Sequence, residues 1–508
     1  MTSTIGEILP TAARRFGVRT ALLVGERAFS FDDLEALSNR AANCLVAAGV
    51  QPGDRIALYG PNCWEWLVAY YGIAKTGAVV IPVNVMLTPD EVRYVVENSG
   101  ARAVAASPDK GESLLDLGGN VLLWGDDTID WLSRGAPEFA LVHRDGGDLA
   151  AICYTSGTTG HPKGAMQSHR SVIGAAMGTA TMAARGPHDR VINSLPLPHV
   201  YGSCVFNASL MAGSTFIMIP RFDAEVVLRT IGEQHATLMD GVPTVYYYLL
   251  SHPDFDRYDL SSLTRCWVGG QTLPVAKSVE FTERTGCPVH EVWGMTELAG
   301  ATSANPVIGP NKPGTIGVPY PGNTMRVVDV DDPGREMPVG ERGELMFRGP
   351  LVMLGYYGNP NGTAGAIEAD GWLHTGDVAT MDDDGYFTIV DRMKDMILTA
   401  GFNVYPAEIE RVLCAHPAIA LAAVGGIPDD AKGELAKAYV VLKPDMTVSR
   451  EELITHCRQH LAAYKIPRAI QFTTQVPMTS SGKIMLRLLT DIDDGTRTTA
   501  SDLSPAAT

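Results

Sequence analysis

Residues 154–164 read YTSGTTGHPKG, from Tyr154 through Thr155, Ser156, Gly157, Thr158, Thr159, Gly160, His161 and Pro162 to Lys163 and Gly164. The apolar run Leu149 to Cys153 precedes them, so the stretch is a strand running into a loop. Its glycines let the backbone turn until amides converge on an anion, and its four hydroxyls add donors. Lys163 brings a compact positive charge suited to phosphate. As composition alone, the stretch also fits a surface turn. It is not a Walker A loop: counted from Gly157, the second glycine falls on Pro162, and neither Ser nor Thr follows the lysine. A P-loop kinase or ATPase is disfavoured.

Outward from this loop, strands and helices alternate. Phe29 to Phe31 closes a short hairpin, and Asp32 is placed to cap a helix from Leu34 to Ala48 that stops at Gly49. Asp54 to Tyr59 and Ala78 to Val83 read as buried strands around a helix from Trp64 to Thr76. The same rhythm returns at Val191 to Leu195, Ser214 to Ile219, Ala236 to Gly241 and Arg265 to Val268, which implies parallel sheet. From Gly314 to Gly349, Gly and Pro punctuate short alternating segments, an antiparallel or barrel-like texture. Beyond Asp391 the pattern is compact α+β, with helices at Pro406 to Leu413 and Ser449 to Leu461 and strands at Ala420 to Gly425 and Ala436 to Leu442. Residues 491–508, rich in Thr and small residues, read as a flexible tail. DDDG at 382–385 reads as a solvated turn rather than a metal site.

The chain of 508 residues carries 40 Lys and Arg against 57 Asp and Glu, a net charge of −17. Such a chain lacks the broad positive field of non-specific nucleic-acid binding, although a local basic mouth remains compatible. Its eight cysteines are dispersed, with no C-x-x-C and no zinc pattern. Dispersed thiols, no signal-peptide pattern and no run of 18 apolar residues point to the cytoplasm and to no membrane span.

The 154–164 loop resembles the signature of the adenylate-forming superfamily, which includes acyl-CoA synthetases, luciferases and peptide-synthetase adenylation domains. Further motifs match in the family's order over roughly residues 20 to 489: LPLPHVYG at 195–202, WVGGQTLP at 267–274, EVWGMTELAG at 291–300, WLHTGD at 372–377, DRMKDMILTAGFNVYP at 391–406 and PMTSSGKIMLR at 477–487. The resemblance implies an α/β fold. A large N-terminal domain, residues 1–390, would hold stacked mixed and parallel sheets with helices plus a distorted β-barrel. A hinge at 391–394 would lead to a small mobile α+β domain at 395–490.

It also implies two half-reactions. A carboxylate attacks the α-phosphate of Mg-ATP, and CoA then displaces AMP. Thr155, Ser156, Gly157, Thr158, Thr159, Gly160 and Lys163 would hold phosphate. Gly270, Gln271, Trp293, Gly294 and Met295 would line the nucleotide, with Trp293 where many members carry Tyr. Thr296 would touch the α-phosphate, and Glu297, with Thr155, would hold Mg²⁺. Asp377 would bind the ribose hydroxyls and Arg392 the ribose or phosphate. His199 would sit where the acid enters, with Tyr201, Val242, Leu298 and Ala299 around the acyl group. Lys394 would be the pivot, Gly401 and Phe402 would approach the CoA channel, and Lys483 would bridge carboxylate and α-phosphate.

No G-x-S-x-G accompanies any serine, so a hydrolase elbow is absent. The expected activity is an AMP-forming carboxylic acid–CoA ligase using a small-molecule acid, ATP, Mg²⁺ and CoA, as a monomer or homodimer. The Gly-Phe-Asn at 401–403, similar to bacterial fatty-acid–CoA ligases, favours a medium- or long-chain fatty acid. An aryl acid of benzoate or cinnamate type, a short dicarboxylic acid with Arg221 or Arg265 reaching its second carboxylate, and an acyl-AMP ligase loading a carrier protein are the alternatives. A nucleotide-binding regulatory protein without turnover is a reading from another class, opposed by the presence of Glu297, Asp377 and Lys483.

Overall fold

The structure, a computed structural model, describes residues 3–112, 114, 120–124, 128–155, 162–399, 402–429, 433–479, 484–485 and 488–489. Among these, two large sheets dominate. In one, Thr20–Val24, Thr215–Met218, Arg190–Asn193, Leu238–Gly241, Arg265–Gly269 and Val289–Met295 run parallel in that spatial order. Antiparallel strands Arg27–Ser30 on one side and Gly300–Ala304, then Val318–Pro319, on the other complete it. The other sheet joins Leu149–Thr155, Val79–Val83, Arg55–Tyr59, Ala103–Ala106 and Asn120–Leu123 in parallel. Lys163–Ser168 and Gly355–Tyr356 add to its edge antiparallel. This is the architecture that the strand–helix alternation predicts.

The two sheets meet through their crossover helices. Tyr70 and Tyr71 of helix Trp64–Lys75 pack edge-on against Phe206 of helix Val200–Ala212, at 5.1 and 6.2 Å between ring centres. The Tyr71 hydroxyl donates to Asn207 Oδ1 at 2.7 Å, which satisfies it in a site with no access to water.

Thr324–Val328, Gly343–Arg348, Leu373–Met381 and Phe387–Arg392 form a four-stranded antiparallel sheet, the portion that Gly and Pro punctuation marks in the sequence. A last sheet gathers Phe402–Val404, Ile397–Thr399, Gly433–Leu442, Ile419–Asp429 and Ala469–Phe472, and has its own apolar core around Ile409, Leu413, Val424 and Leu453. No helix among the described residues is long and apolar enough to cross a membrane.

One expected cap is corrected. Asp32 does not cap the first long helix; Ser30 does, and the helix spans Phe31–Ala47. The Ser30 hydroxyl accepts from Asp33 N while Asp33 accepts from Ser30 N. That reciprocal pair satisfies two amide donors at once, more than Asp32 alone offers. The DDDG segment is a turn: Asp382 accepts from the amides of Asp384 and Tyr386, and Gly385 has φ 77°. Residues 491–508 lie outside the described residues.

Candidate active site

A cavity of about 40 Å³ opens where the parallel strands of the first sheet end. Ends of parallel strands are where open α/β sheets place ligands. Its wall comprises His199 and Tyr201, Gly269 and Gly270, and Trp293 to Thr296. Gly270 has φ 89°, a left-handed turn that lets the chain fold back off its strand. His199 is the N-cap of helix Val200–Ala212, with Nδ1 accepting from Tyr201 N at 3.2 Å. The two prolines before it read only as a loop; the cap appears because a ring nitrogen replaces the usual hydroxyl acceptor.

Trp293 lies at the centre of a polar chain. Its indole Nε1 donates to Asp377 Oδ2 at 2.8 Å, and Arg392 Nε stands 2.9 Å from Asp377 Oδ1. Asp377 is buried on strand Leu373–Met381, directly in register with Arg392 on Phe387–Arg392. The Asp377 charge, ahead of the opposing effect of burial, holds the Arg392 guanidinium protonated. Oδ1 is engaged by Arg392 as an ion pair, and a carboxylate oxygen keeps a second lone pair for a further donor.

Thr296 and Glu297 follow on a single 3₁₀ turn, Thr296–Leu298, closed by Ala299 at φ 59°. Gln167 Nε2 donates to Thr296 O at 2.9 Å and Met353 N to Glu297 O at 2.8 Å, fixing the turn from two sides. The Glu297 carboxylate accepts from the Tyr356 hydroxyl at 2.8 Å. The Lys163 ammonium lies 5.2 Å from the centre of the Tyr356 ring, a cation–π distance. Tyr356 thus joins the lysine of the 154–164 loop to Glu297. Sequence reasoning missed it; the signal was Gly355-Tyr356, a two-residue strand paired to Ala165 and Met166 beside that loop.

The other expected residues fall in three groups. Thr155 is half-buried at the end of its strand, with its hydroxyl 3.5 Å from Lys163 O. Gln271, next in sequence to the cavity-lining Gly270, accepts through Oε1 from Ile484 N at 3.1 Å. Ser156, Gly157, Thr158, Thr159, Gly160, Gly401 and Lys483 lie outside the described residues, as do the side chains of Lys394 and Phe402. Val242, Leu298 and Ala299 are not brought to the cavity wall: all three are buried, and the turn at Ala299 sends Leu298 wholly into the core.

Neither arginine considered for a second carboxylate is at the cavity. Arg221 is exposed, and Arg265, at the far end of strand Arg265–Gly269, pairs with Asp189.

The segment after Arg392 touches the larger part of the chain at several points. Glu408 is held at 2.5 Å by both Arg342 and Lys465, and Lys443 approaches Glu280 at 3.6 Å. Glu291, two residues before Trp293, accepts from Gly314 N at 2.6 Å. Burial pushes its carboxyl up to about 8 against the pull of that amide and of Arg411.

Residues 9–357 match the family of AMP-binding enzymes, and residues 408–483 match the AMP-binding enzyme C-terminal domain. A long-chain-fatty-acid–CoA ligase of Bacillus subtilis is 34% identical over 531 residues, covering 96% of this chain and 94% of that one. A feruloyl-CoA synthase of an Amycolatopsis species is 36% identical over 469 residues, covering 92% and 94%. The crystal structure of an anthranilate CoA ligase, AuaEII, in complex with anthranoyl-AMP superposes with a TM-score of 0.90 at 28% identity, covering 97% of this chain and 99% of that one.

Proposed function

The chain belongs to the AMP-binding enzyme family, and we propose that it adenylates a carboxylic acid with ATP and passes the acyl group to coenzyme A. It is an AMP-forming acid–thiol ligase, with ATP and CoA as substrates. A carboxylate oxygen bonds to the α-phosphorus and the bond to pyrophosphate breaks. The CoA thiolate then attacks the acyl carbon and AMP leaves. Neither step needs a nucleophile from the protein, so catalysis rests on orientation and charge.

The observation that carries the reading is the Trp293–Asp377–Arg392 chain beside the cavity. A buried carboxylate with a spare lone pair, steered by an indole and a guanidinium, suits a ribose diol. In this reading Trp293, Gly294, Met295, Gly270 and Gln271 border the nucleotide. Thr155 to Gly160 and Lys163 hold its phosphates, and Thr296 meets the α-phosphate. His199 and Tyr201 face the acid. Lys483 bridges carboxylate and α-phosphate during adenylation. Residues 395–490 turn about Lys394 so that the Gly401–Phe402 segment serves the CoA step.

The donor set also fits a magnesium ion. Among the described residues no three metal-ligating side chains cluster, so a dedicated protein cage is absent. Mg²⁺ is commonly held by one or two carboxylates plus substrate phosphates, and Glu297 is such a carboxylate, anchored through one oxygen by Tyr356. When bound there, the ion would offset charge on the phosphates. Tyr356 keeps Glu297 oriented for it.

The acid is an apolar-bodied carboxylic acid. The names of the relatives span fatty and hydroxycinnamic acids, so both the aliphatic and the aryl series enter the test. All eight cysteines are free thiols, which supports a reducing compartment and a cytoplasmic enzyme. Acid-dependent pyrophosphate release, measured across both series, tests the proposal. Release that ignores the acid supplied contradicts it.

A further inference from the structure

Helix Pro406–Cys414 belongs to the C-terminal core through Ile409 and Leu413, yet its first turn is held from outside that core. Its N-cap, Tyr405, makes no side-chain capping hydrogen bond, and Pro406 has no amide to donate. The next amide, Ala407 N, donates to Asp391 Oδ2 at 3.0 Å. Asp391 stands on strand Phe387–Arg392, in register with Val378 of the four-stranded sheet and three residues before Lys394. Its other oxygen accepts from Arg392 N at 2.7 Å, and the residue is buried. Burial pushes its carboxyl up to about 6, against the pull of those two amides.

Two further contacts reach the same turn from the larger part of the chain. Arg342 donates to Glu408 Oε1 at 2.5 Å, while Lys465 of the C-terminal part holds Oε2. The Arg342 guanidinium also lies 5.4 Å from the centre of the Tyr405 ring, which packs with Val378 and Val390. A cap within the helix's own segment would travel with the helix, and Ser, Thr, Asp or Asn at position 405 would supply one. A cap drawn from residue 391, on the other side of Lys394, exists only while the helix lies against strand Phe387–Arg392. In this arrangement Ile484 N, one residue past Lys483, donates to Oε1 of Gln271.

Resting on the ligase reading above, we infer that Asp391 is a positioning residue for acyl-AMP formation: its carboxylate latches helix Pro406–Cys414 and so favours the arrangement in which residue 484 meets Gln271. Turning about Lys394 for the CoA step breaks the Ala407 hydrogen bond and returns both groups to water. The latch weights one arrangement against the other without touching ATP, acid or CoA. Arg342 adds a weaker, half-exposed hold on the same turn. Asparagine at 391 keeps an acceptor oxygen; alanine does not.

The test separates the two half-reactions by rapid quench and reads the arrangement independently. Asp391→Ala should slow acyl-AMP formation about 10-fold and leave thioester formation from supplied acyl-AMP unslowed, whereas Asp391→Asn should stay within about 2-fold of the parent in both. Arg342→Met, a change at a half-exposed site that spares folding, should act in the same direction by about 2-fold. Spin labels on Val330→Cys and Met446→Cys, both exposed positions on opposite sides of Lys394, report the arrangement by their separation. Asp391→Ala should add a second distance that the parent and Asp391→Asn lack. Equal slowing of both steps, parent rates in Asp391→Ala, or labels unmoved by that change would overturn the inference and leave the ligase reading standing. A label shift with no acyl-AMP formed by the parent would overturn the ligase reading, and with it the step assigned to the latch.

Discussion

The indole Nε1 of Trp293 and the carboxylate of Asp377 are joined by a 2.8 Å hydrogen bond across 84 positions of sequence. The bond fixes one carboxylate oxygen and turns the other toward Arg392. Trp293→Phe keeps an aromatic face and deletes the donor. A hydrogen bond to a charged group contributes about 1.5–3 kcal/mol, so the KM for ATP should rise on the order of 10-fold. Initial rates over an ATP titration check this. An unchanged KM would mean that Asp377 needs no help from Trp293.

Glu297 and Tyr356 should separate by magnitude. Glu297→Gln replaces an anionic ligand by a neutral one and should raise the Mg²⁺ concentration giving half-maximal adenylation about 10-fold or more. Tyr356→Phe loses only the 2.8 Å anchor of that carboxylate and should move the same midpoint by a smaller factor, about 3-fold. A Mg²⁺ titration identical in parent and Glu297→Gln would remove Glu297 from the metal site.

The two half-reactions should come apart in variants of the C-terminal segment. Lys483→Ala should slow acyl-AMP formation on the order of 10²-fold while sparing thioester formation from supplied acyl-AMP. Lys394→Pro should do the reverse, because proline fixes φ near about −65° where rotation needs freedom. Ile484 N donates to Oε1 of Gln271, next in sequence to the cavity-lining Gly270. Rapid-quench measurement of each step decides; equal damage to both steps in either variant contradicts this division of labour.

Glu291 offers a pH test of stability. Its carboxyl is pushed from an ordinary 4.5 up to about 8 by burial. Across that window the folded chain holds more protons than the unfolded one, so stability falls as pH rises and the cost is full above the folded value. Glu291→Gln keeps an acceptor for Gly314 N and removes the buried charge. Its apparent Tm should exceed the parent's by about 2–4 °C near pH 9 and match it near pH 5. The opposite order, a variant less stable at high pH, would mean that Arg411 outweighs burial.

The sequence made legible what chemistry writes locally. Lys163, Thr296, Glu297 and Asp377 stand in short motifs, and the phosphate, metal and ribose contacts proposed for them each call for certain residue types close together. The parallel sheets could be anticipated from apolar runs alternating with helical segments. What escaped depends on distance in sequence or on the turn of the chain. Nothing local to Trp293 announces Asp377, and nothing near Tyr356 announces Glu297. Leu298 looks like a pocket residue beside Glu297, but a 3₁₀ turn followed by φ 59° at Ala299 points it into the core. Arg185 and Asp240, 55 positions apart, form a pair that neither residue suggests alone.

The central claim is that ATP is cleaved between its α- and β-phosphates at the demand of a carboxylic acid and that CoA collects the acyl group. The most direct measurement is a product analysis in two stages. Purified protein, ATP, Mg²⁺ and an acid are mixed without CoA, and CoA is then added. Pyrophosphate and a bound acyl-AMP should appear first, followed by equimolar AMP and acyl-CoA. Formation of ADP and inorganic phosphate, or of AMP without dependence on the acid, would contradict the account.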